Sequence, residues 1–361
     1  MKPIFFLQDP EKVHDRMTGI GSFLGKFSIT RKIASWKFGY HSSMLEQDIL
    51  GIHFHNPVGL AAGFDKNAQL THILPSVGFG FEEVGSVTGE PCEGNPKPRL
   101  WRLPHSKALV VYYGLKNDGA EIISTRLAGK QFQFPVGVSV AKTNSPETVD
   151  TQKGIADYTK AFRLFAEKNI GDYITINISC PNAYGGEPFA DARKLDALLA
   201  EIRKISYIKP IFIKMPPDLS DRELDDIIAV ARIYNIAGFI STNLTKDVRK
   251  MCLCDEEKAH YQRNIGKGGI SGKAVEDLSN KQIAYLYKKT KKEFVIIGCG
   301  GVFTAEDAYR KIKLGASLLQ VITGMIYEGP QLISEINLGL VRLLKKDGFK
   351  NISEAIGIEN R

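Results

Sequence analysis

Between residues 56 and 346 the chain repeats one unit eight times: a short apolar run, then a longer stretch whose apolar positions have helical spacing. The runs fall at 56–62, 81–87, 136–141, 173–179, 210–215, 238–243, 294–300 and 318–324. The helical stretches fall near 68–77, 119–128, 155–168, 191–205, 221–234, 278–290, 305–314 and 330–346. Continuous apolar strands such as Phe-Val-Ile-Ile at 294–297 suit a parallel sheet covered on both faces. Alternating strand and helix units build a parallel sheet, and eight in order argue for its closure. The fold expected is α/β, a (β/α)8 TIM barrel, with a doubly wound open sheet as the alternative. Such a barrel needs about 250 residues. The 361 present leave room for insertions and for a separate N-terminal segment.

That segment is residues 1–45, with the barrel spanning 46–361. Phe6, Met17, Phe23, Phe27, Ile33 and Trp36 alternate there with Lys12, Arg16, Lys26, Arg31, Lys32 and Lys37. The spacing predicts one or two short amphipathic helices with a basic rim, broken at Gly19 and Gly21. Such a segment can lie in a bilayer interface or pack as a cap on the barrel; periodicity alone does not choose. The formal net charge of +8 suits anionic ligands or an anionic membrane surface. The basic residues are scattered rather than clustered, which argues against nucleic acid. No apolar run approaches about 18 residues, so no membrane span is expected. The apolar stretch at the start is too short for a secretory signal. Five cysteines, an odd number, point to a reducing cytoplasmic setting without disulfides.

In a barrel, chemistry sits on the loops that follow the strands. Loops 88–117, 180–190 and 244–277 stand out, the last long enough for a lid. The seventh and eighth strands end in Gly-Cys-Gly-Gly at 298–301 and in Thr323-Gly324, where barrels commonly bind phosphate on glycine backbone. Gly272 closes another glycine cluster, at 268–272. The first strand runs into Gly-Leu-Ala-Ala-Gly-Phe-Asp-Lys at 59–66, small enough for a flat ring to lie on the backbone. Lys66 and Lys214 each put a positive charge at a strand mouth, where a lysine can stabilise an anionic reduced flavin. The fourth strand ends in Asn177-Ile-Ser-Cys180-Pro-Asn182. A thiol with pKa near 8.5 keeps some thiolate at neutral pH and can remove a proton, so Cys180 is the candidate base. Asn177, Asn182 and Asn243 offer amides to a ring bearing both C=O and N–H. Cys252 and Cys254 with His260 are too sparse for zinc, and no metal is expected.

These segments together resemble the dihydroorotate dehydrogenases, and within them the quinone-dependent class 2 enzymes. The resemblance runs over nearly the whole chain. It is most specific at 56–67, at Gly-Asn-Pro-Lys-Pro-Arg-Leu-Trp-Arg-Leu-Pro (94–104), and at 315–320 with Ile-Tyr-Glu-Gly-Pro (326–330). It implies FMN held by Ala62, Gly63, Lys66, Ser86, Asn177, Lys214, Thr242, Gly272, Gly301 and Thr323. It implies dihydroorotate held by Lys66, Asn177, Asn182 and Asn243. Cys180 would take a proton from C5 while hydride leaves C6 for the flavin, and electrons would then pass to quinone. His14 and Arg102 would line the quinone site, and residues 1–40 would form a membrane-facing helical pair. A monomer peripherally bound to the cytoplasmic face of the cell membrane is the expectation.

Departures from the class pattern are local. Cysteine stands at 180, where class 2 enzymes usually carry serine. Val111 and Leu115 replace an asparagine and a phenylalanine, Ser139 an asparagine, and Ile322 a tyrosine. Losing one buried amide partner costs about 1–3 kcal/mol. A barrel of this kind acting on a different ring or enone is therefore the second reading, and a flavin-binding protein without activity the third.

Overall fold

The computed structural model describes residues 5–186 and 188–360. Its centre is a closed ring of eight parallel strands: β1 Val58–Leu60, β2 Phe81–Val87, β3 Val136–Val140, β4 Tyr173–Asn177, β5 Ile211–Met215, β6 Gly238–Ser241, β7 Val295–Cys299 and β8 Leu318–Val321. Each strand pairs with the next, and β8 pairs with β1, so the open sheet is ruled out. All eight expected strands are present, shortened at their ends by at most three residues.

The outer helices follow from their apolar spacing. Helix Leu332–Lys346 buries Leu332, Ile333, Ile336, Leu340, Val341 and Leu344, one stripe at intervals of three and four. Each fully buried leucine contributes about 1.5–3 kcal/mol. Ser220 with Glu223, and Thr304 with Asp307, form reciprocal caps at two other helix starts. The expected helix at 68–77 is absent. That crossover holds only a 3-10 turn, Leu74–Val77, containing Pro75, and Ala68 has a positive φ of 55°. The N-terminal segment packs against this turn instead.

That segment forms two helices, α1 Pro10–Gly25 and α2 Ser28–Phe38. Asp9 caps α1 by accepting from the Lys12 amide, and Pro10 occupies its first turn. The expected break at Gly19 and Gly21 does not occur; the chain turns at Lys26 and Phe27. Gly21 serves close approach, since a Cβ there would stand 2.6 Å from Leu70. One side of α1 is bound to the barrel: Arg99 donates to both carboxylate oxygens of Glu11 at 2.7–3.1 Å, with both residues buried. The other side leaves Met17, Ile20 and Phe23 exposed, and α2 adds Ile29, Ile33 and Trp36, the last 88% exposed. No helix among the described residues is long and apolar enough to cross a membrane.

Along the strands, inward side chains alternate in period two and stack in layers. Phe81, Tyr173, Phe212, Ile297 and Leu318 plug the N-terminal mouth, joined by Phe54. Gly59 and Gly137 make room for this plug; a Cβ at either would stand within 2.4 Å of the Phe81 or Tyr173 ring. One step up, Glu83 accepts from Thr175 (2.9 Å) and Gln320 (3.1 Å). Over the C-terminal mouth, loops 88–117 and 244–277 are not merely polar loops. The first contains a hairpin, Leu100–Leu103 with Ala108–Val111, and the second lays Gly269–Gly272 antiparallel beside it.

Candidate active site

One cavity of about 1260 Å³, its open mouth included, fills the C-terminal end of the barrel beneath this small sheet and α1. Every site residue picked from the sequence lines it except Arg102.

The β1 side supplies a low wall, Ala62 and Gly63, followed by Lys66. The Lys66 ammonium lies 4.1 Å from the centre of the Tyr113 ring. Burial brings its pKa down to about 8, against the pull of Asp15. Lys214 rises from β5 with only 3% of its surface exposed. No carboxylate among the described residues lies within ion-pair distance of Lys66 or Lys214.

β2, β3 and β4 meet in a continuous polar chain. Ser139 and Ser86 share a hydrogen bond of 2.7 Å, and Asn177 donates its amide to Ser86 at 2.8 Å. The Asn177 side-chain oxygen accepts from the Ser179 amide and hydroxyl. The Asn243 amide in turn donates to the Ser179 hydroxyl at 2.9 Å. Ser139 therefore supports the site from behind Ser86. The network holds each amide in one orientation, as buried polar groups require.

Cys180 follows β4 and faces both the main cavity and a small pocket behind it, which Lys142 and Tyr158 also line. Asn182 donates to the Val111 carbonyl at 2.8 Å, while its own side-chain oxygen is buried without a partner. The side-chain oxygen of Gln320 is likewise buried and unpartnered, in the cavity wall. Acceptors left open in a cavity wall are free to take a donor from a ligand or a water.

The far wall is backbone. Gly272 and Gly301 have φ of 92° and 77°, and a Cβ on Gly272 would stand 2.4 Å from the Lys107 carbonyl and 2.8 Å from Thr323. Thr323 shares a 2.9 Å hydrogen bond with Ser271, and the Thr242 amide donates to the Cys299 carbonyl.

α1 closes the last side. His14 Nε2 donates to the Phe64 carbonyl at 3.0 Å, so the proton sits on Nε2. Burial, helped by the Lys66 charge, lowers the His14 pKa to about 4 and keeps the ring neutral. Arg102 stands apart from the cavity: it donates to the Gln8 carbonyl at 2.9 Å and stacks 4.7 Å from the Phe6 ring. Its hairpin position turns it toward the chain that leads into α1.

Residues the sequence did not single out complete the site. Tyr113 faces the cavity with its hydroxyl buried and unpartnered, and burial raises its pKa. Tyr112 is not in the cavity wall; the Lys267 ammonium stands over its ring. Gln320 had a signal, the period-two step from Leu318. The covering residues Leu100, Leu109 and Ser271 had none, because their sheet joins segments about 160 residues apart. Among the described residues no cluster of three His, Cys, Asp or Glu could hold a metal ion, and Cys252 and Cys254 are exposed.

Fold and cavity together define a (β/α)8-barrel enzyme with its site at the C-terminal mouth. The family model described as dihydroorotate dehydrogenase matches residues 44–344, and the chain belongs to that family. It is 40% identical to the dihydroorotate dehydrogenase (quinone) of Trichormus variabilis, over 99% of this chain and 97% of the relative. It is 36% identical to the protein of the same name from Natronomonas pharaonis, over 99% and 98%. Among solved structures, DHODH of Eimeria tenella in complex with ferulenol superposes with a TM-score of 0.81 at 29% identity, over 98% of this chain and 96% of that one. The ligand-free form gives 0.80 at 31% identity, over 98% and 100%.

Proposed function

We propose that this protein oxidises (S)-dihydroorotate to orotate in de novo pyrimidine synthesis, with bound FMN and a membrane quinone as electron acceptor. The observation that carries the reading is one cavity that brings Cys180 together with Lys66 and three orienting asparagines.

The residues present fit FMN. Gly272 and Gly301 bring bare backbone to the cavity wall, each packed from behind so closely on Lys107 or Glu276 that only glycine fits, and Ala62 and Gly63 leave a low wall opposite. Lys214 and the open oxygen of Gln320 offer a buried charge and a buried acceptor. Ala62, Gly63, Lys66, Ser86, Asn177, Lys214, Thr242, Gly272, Gly301 and Thr323 would hold the cofactor. When bound, FMN supplies the acceptor for the substrate hydride.

The chain's own residues do the rest. Lys66, half-buried and without an acid in ion-pair distance among the described residues, binds the substrate carboxylate. Asn177, Asn182 and Asn243 orient the pyrimidine, and the open oxygen of Asn182 accepts a ring N–H. Cys180 removes the C5 proton. The covering sheet keeps bulk water from the reacting face. His14 and Arg102 position the quinone end, His14 from the cavity wall and Arg102 by fixing the chain before α1. The exposed apolar row of α1 and α2 supports peripheral contact of residues 1–40 with the cytoplasmic face of the membrane, the protein acting as a monomer.

The test is anaerobic mixing of the purified yellow protein with L-dihydroorotate, followed at the oxidised flavin band near 450 nm (about the usual position). Rapid bleaching reversed by quinone is expected. No bleaching, in protein that dithionite still reduces, would favour the second reading, a different ring substrate. Val111, apolar in the cavity wall, is the observation behind that alternative.

A further inference from the structure

We propose that Lys311 is a buried counter-charge for the phosphate group of the flavin cofactor, acting from behind the glycine wall of the cavity. The inference rests on the FMN reading above and deepens it.

Lys311 lies on helix Ala305–Leu314 and has no exposed surface. Its ammonium donates to the Ser279 hydroxyl at 3.0 Å and to the Asn280 side-chain oxygen at 2.8 Å. Among the described residues no carboxylate comes within ion-pair distance of it. The two nearest in influence, Glu276 and Asp307, are both bonded by Lys273, at 2.6 and 2.7 Å. A fully buried ammonium held only by neutral groups is costly, and chains retain one where an anion will compensate it.

The place of that anion follows from Ser279. A Cβ on Gly300 would stand 3.3 Å from Ser279 Cβ and 3.7 Å from its hydroxyl oxygen. Gly300 and Gly301 both line the cavity, with φ of 118° and 77°. Glycine at both positions lets an anion come close to the backbone N–H groups of the wall. The ammonium therefore sits one hydroxyl behind that wall, with protein rather than water between, where charge is weakly screened. Burial has lowered its pKa to about 8, opposed by Glu276, Cys299 and Asp307 and assisted by Lys273. A phosphate dianion against the wall would hold the proton on. FMN affinity should therefore weaken as pH rises through 8, while riboflavin, which lacks the phosphate, should be indifferent.

The experiment is flavin exchange on the holoenzyme. Protein as purified is incubated with graded riboflavin at pH 7, and displaced FMN is measured, giving the preference for FMN over riboflavin. Lys311→Met, which keeps the bulk and drops the charge, should lower that preference tenfold or more. Lys311→Gln, which keeps an amide for Ser279, should lower it to a similar degree. An unchanged preference in the variants overturns the proposal and leaves Lys311 a tie between two helices. So does equal weakening of both flavins, since the ratio then stays fixed. If neither variant folds, the wild-type preference between pH 7 and 9 decides: a fall is expected, and a flat profile overturns the idea. Wild-type protein that carries no FMN, or shows no preference for it, would instead defeat the cofactor reading on which the inference stands.

Discussion

The two mouths of the barrel are built from the same eight strands and share almost no chemistry. At the N-terminal mouth Phe81, Tyr173, Phe212 and Leu318 interlock without a gap. Two positions on, the same strands present Glu83, Thr175, Lys214 and Gln320; at the C-terminal mouth they give way to Asn177, small residues and an open cavity. The lower end is an apolar plug whose polar exception is the buried Tyr173 hydroxyl. The upper end leaves buried acceptors on Asn182 and Gln320 open and two lysines without acids. Stability is concentrated where the layers are apolar, and binding where the strands stop satisfying themselves.

The sharpest test of that division is at the top. Cys180→Ala should slow flavin reduction by dihydroorotate by about 10²–10⁴-fold, the range of a general base, with little change in Tm. Full turnover in that variant would remove the thiol from the mechanism. The mirror experiment is at the bottom. Phe81→Ala should cost about 3–5 kcal/mol of stability, read by denaturant unfolding of the holoenzyme, while activity per folded molecule is kept. A variant that lost activity but not stability would erase the distinction between the two ends.

The middle layer sharpens the comparison through pH. Burial raises the Glu83 pKa above its ordinary value, partly opposed by Lys214 and by hydrogen bonds from Thr175 and Gln320. A carboxyl whose folded pKa is raised contributes stability below its unfolded pKa, and that contribution is lost as pH rises through the folded value. Glu83→Gln keeps a polar group for Thr175 and Gln320. Its Tm should therefore gain on the wild type as pH increases from about 4.5 upward. Parallel Tm curves would mean the carboxyl ionises freely in both states. The smallest effect expected is Val111→Asn, which restores an amide to the upper cavity. It should tighten dihydroorotate binding by about fivefold or more, the equivalent of one recovered hydrogen bond. Weaker binding would show that Tyr113 and Asn182 have already reorganised the pocket around valine.

Much of this was legible in the chain. The strand positions were readable because a strand buried on both faces leaves a continuous apolar run. The loops that matter followed from strand order, since a parallel barrel exposes one set of strand ends. Lys66, Lys214, Asn177, Cys180, Asn182, Asn243 and the glycine clusters were readable for the same reason, whereas Ser86, Thr242 and His14 came only from the family resemblance. The helix expected at 68–77 failed because Pro75 and a left-handed Ala68 break it, and because α2, far earlier in sequence, packs there. Gly19 and Gly21 misled as breakers; Gly21 is small to let α1 approach Leu70, a constraint no local pattern records. Arg102 was grouped with His14, yet the hairpin twist turns it to Gln8 and Phe6, outside the cavity.

The sequence by itself determined the closed barrel, its polarity and the residue types gathered at one mouth, because period-two alternation and glycine placement are local properties of the chain. Only the tertiary structure decided which of them meet. The pairing of Gly269–Gly272 with Ala108–Val111, the Glu11–Arg99 pair that seats α1, and the Lys311–Ser279 hydrogen bond behind Gly300 all join positions tens to more than a hundred residues apart. Such contacts arise from packing the whole chain at once, and no window of sequence contains both partners.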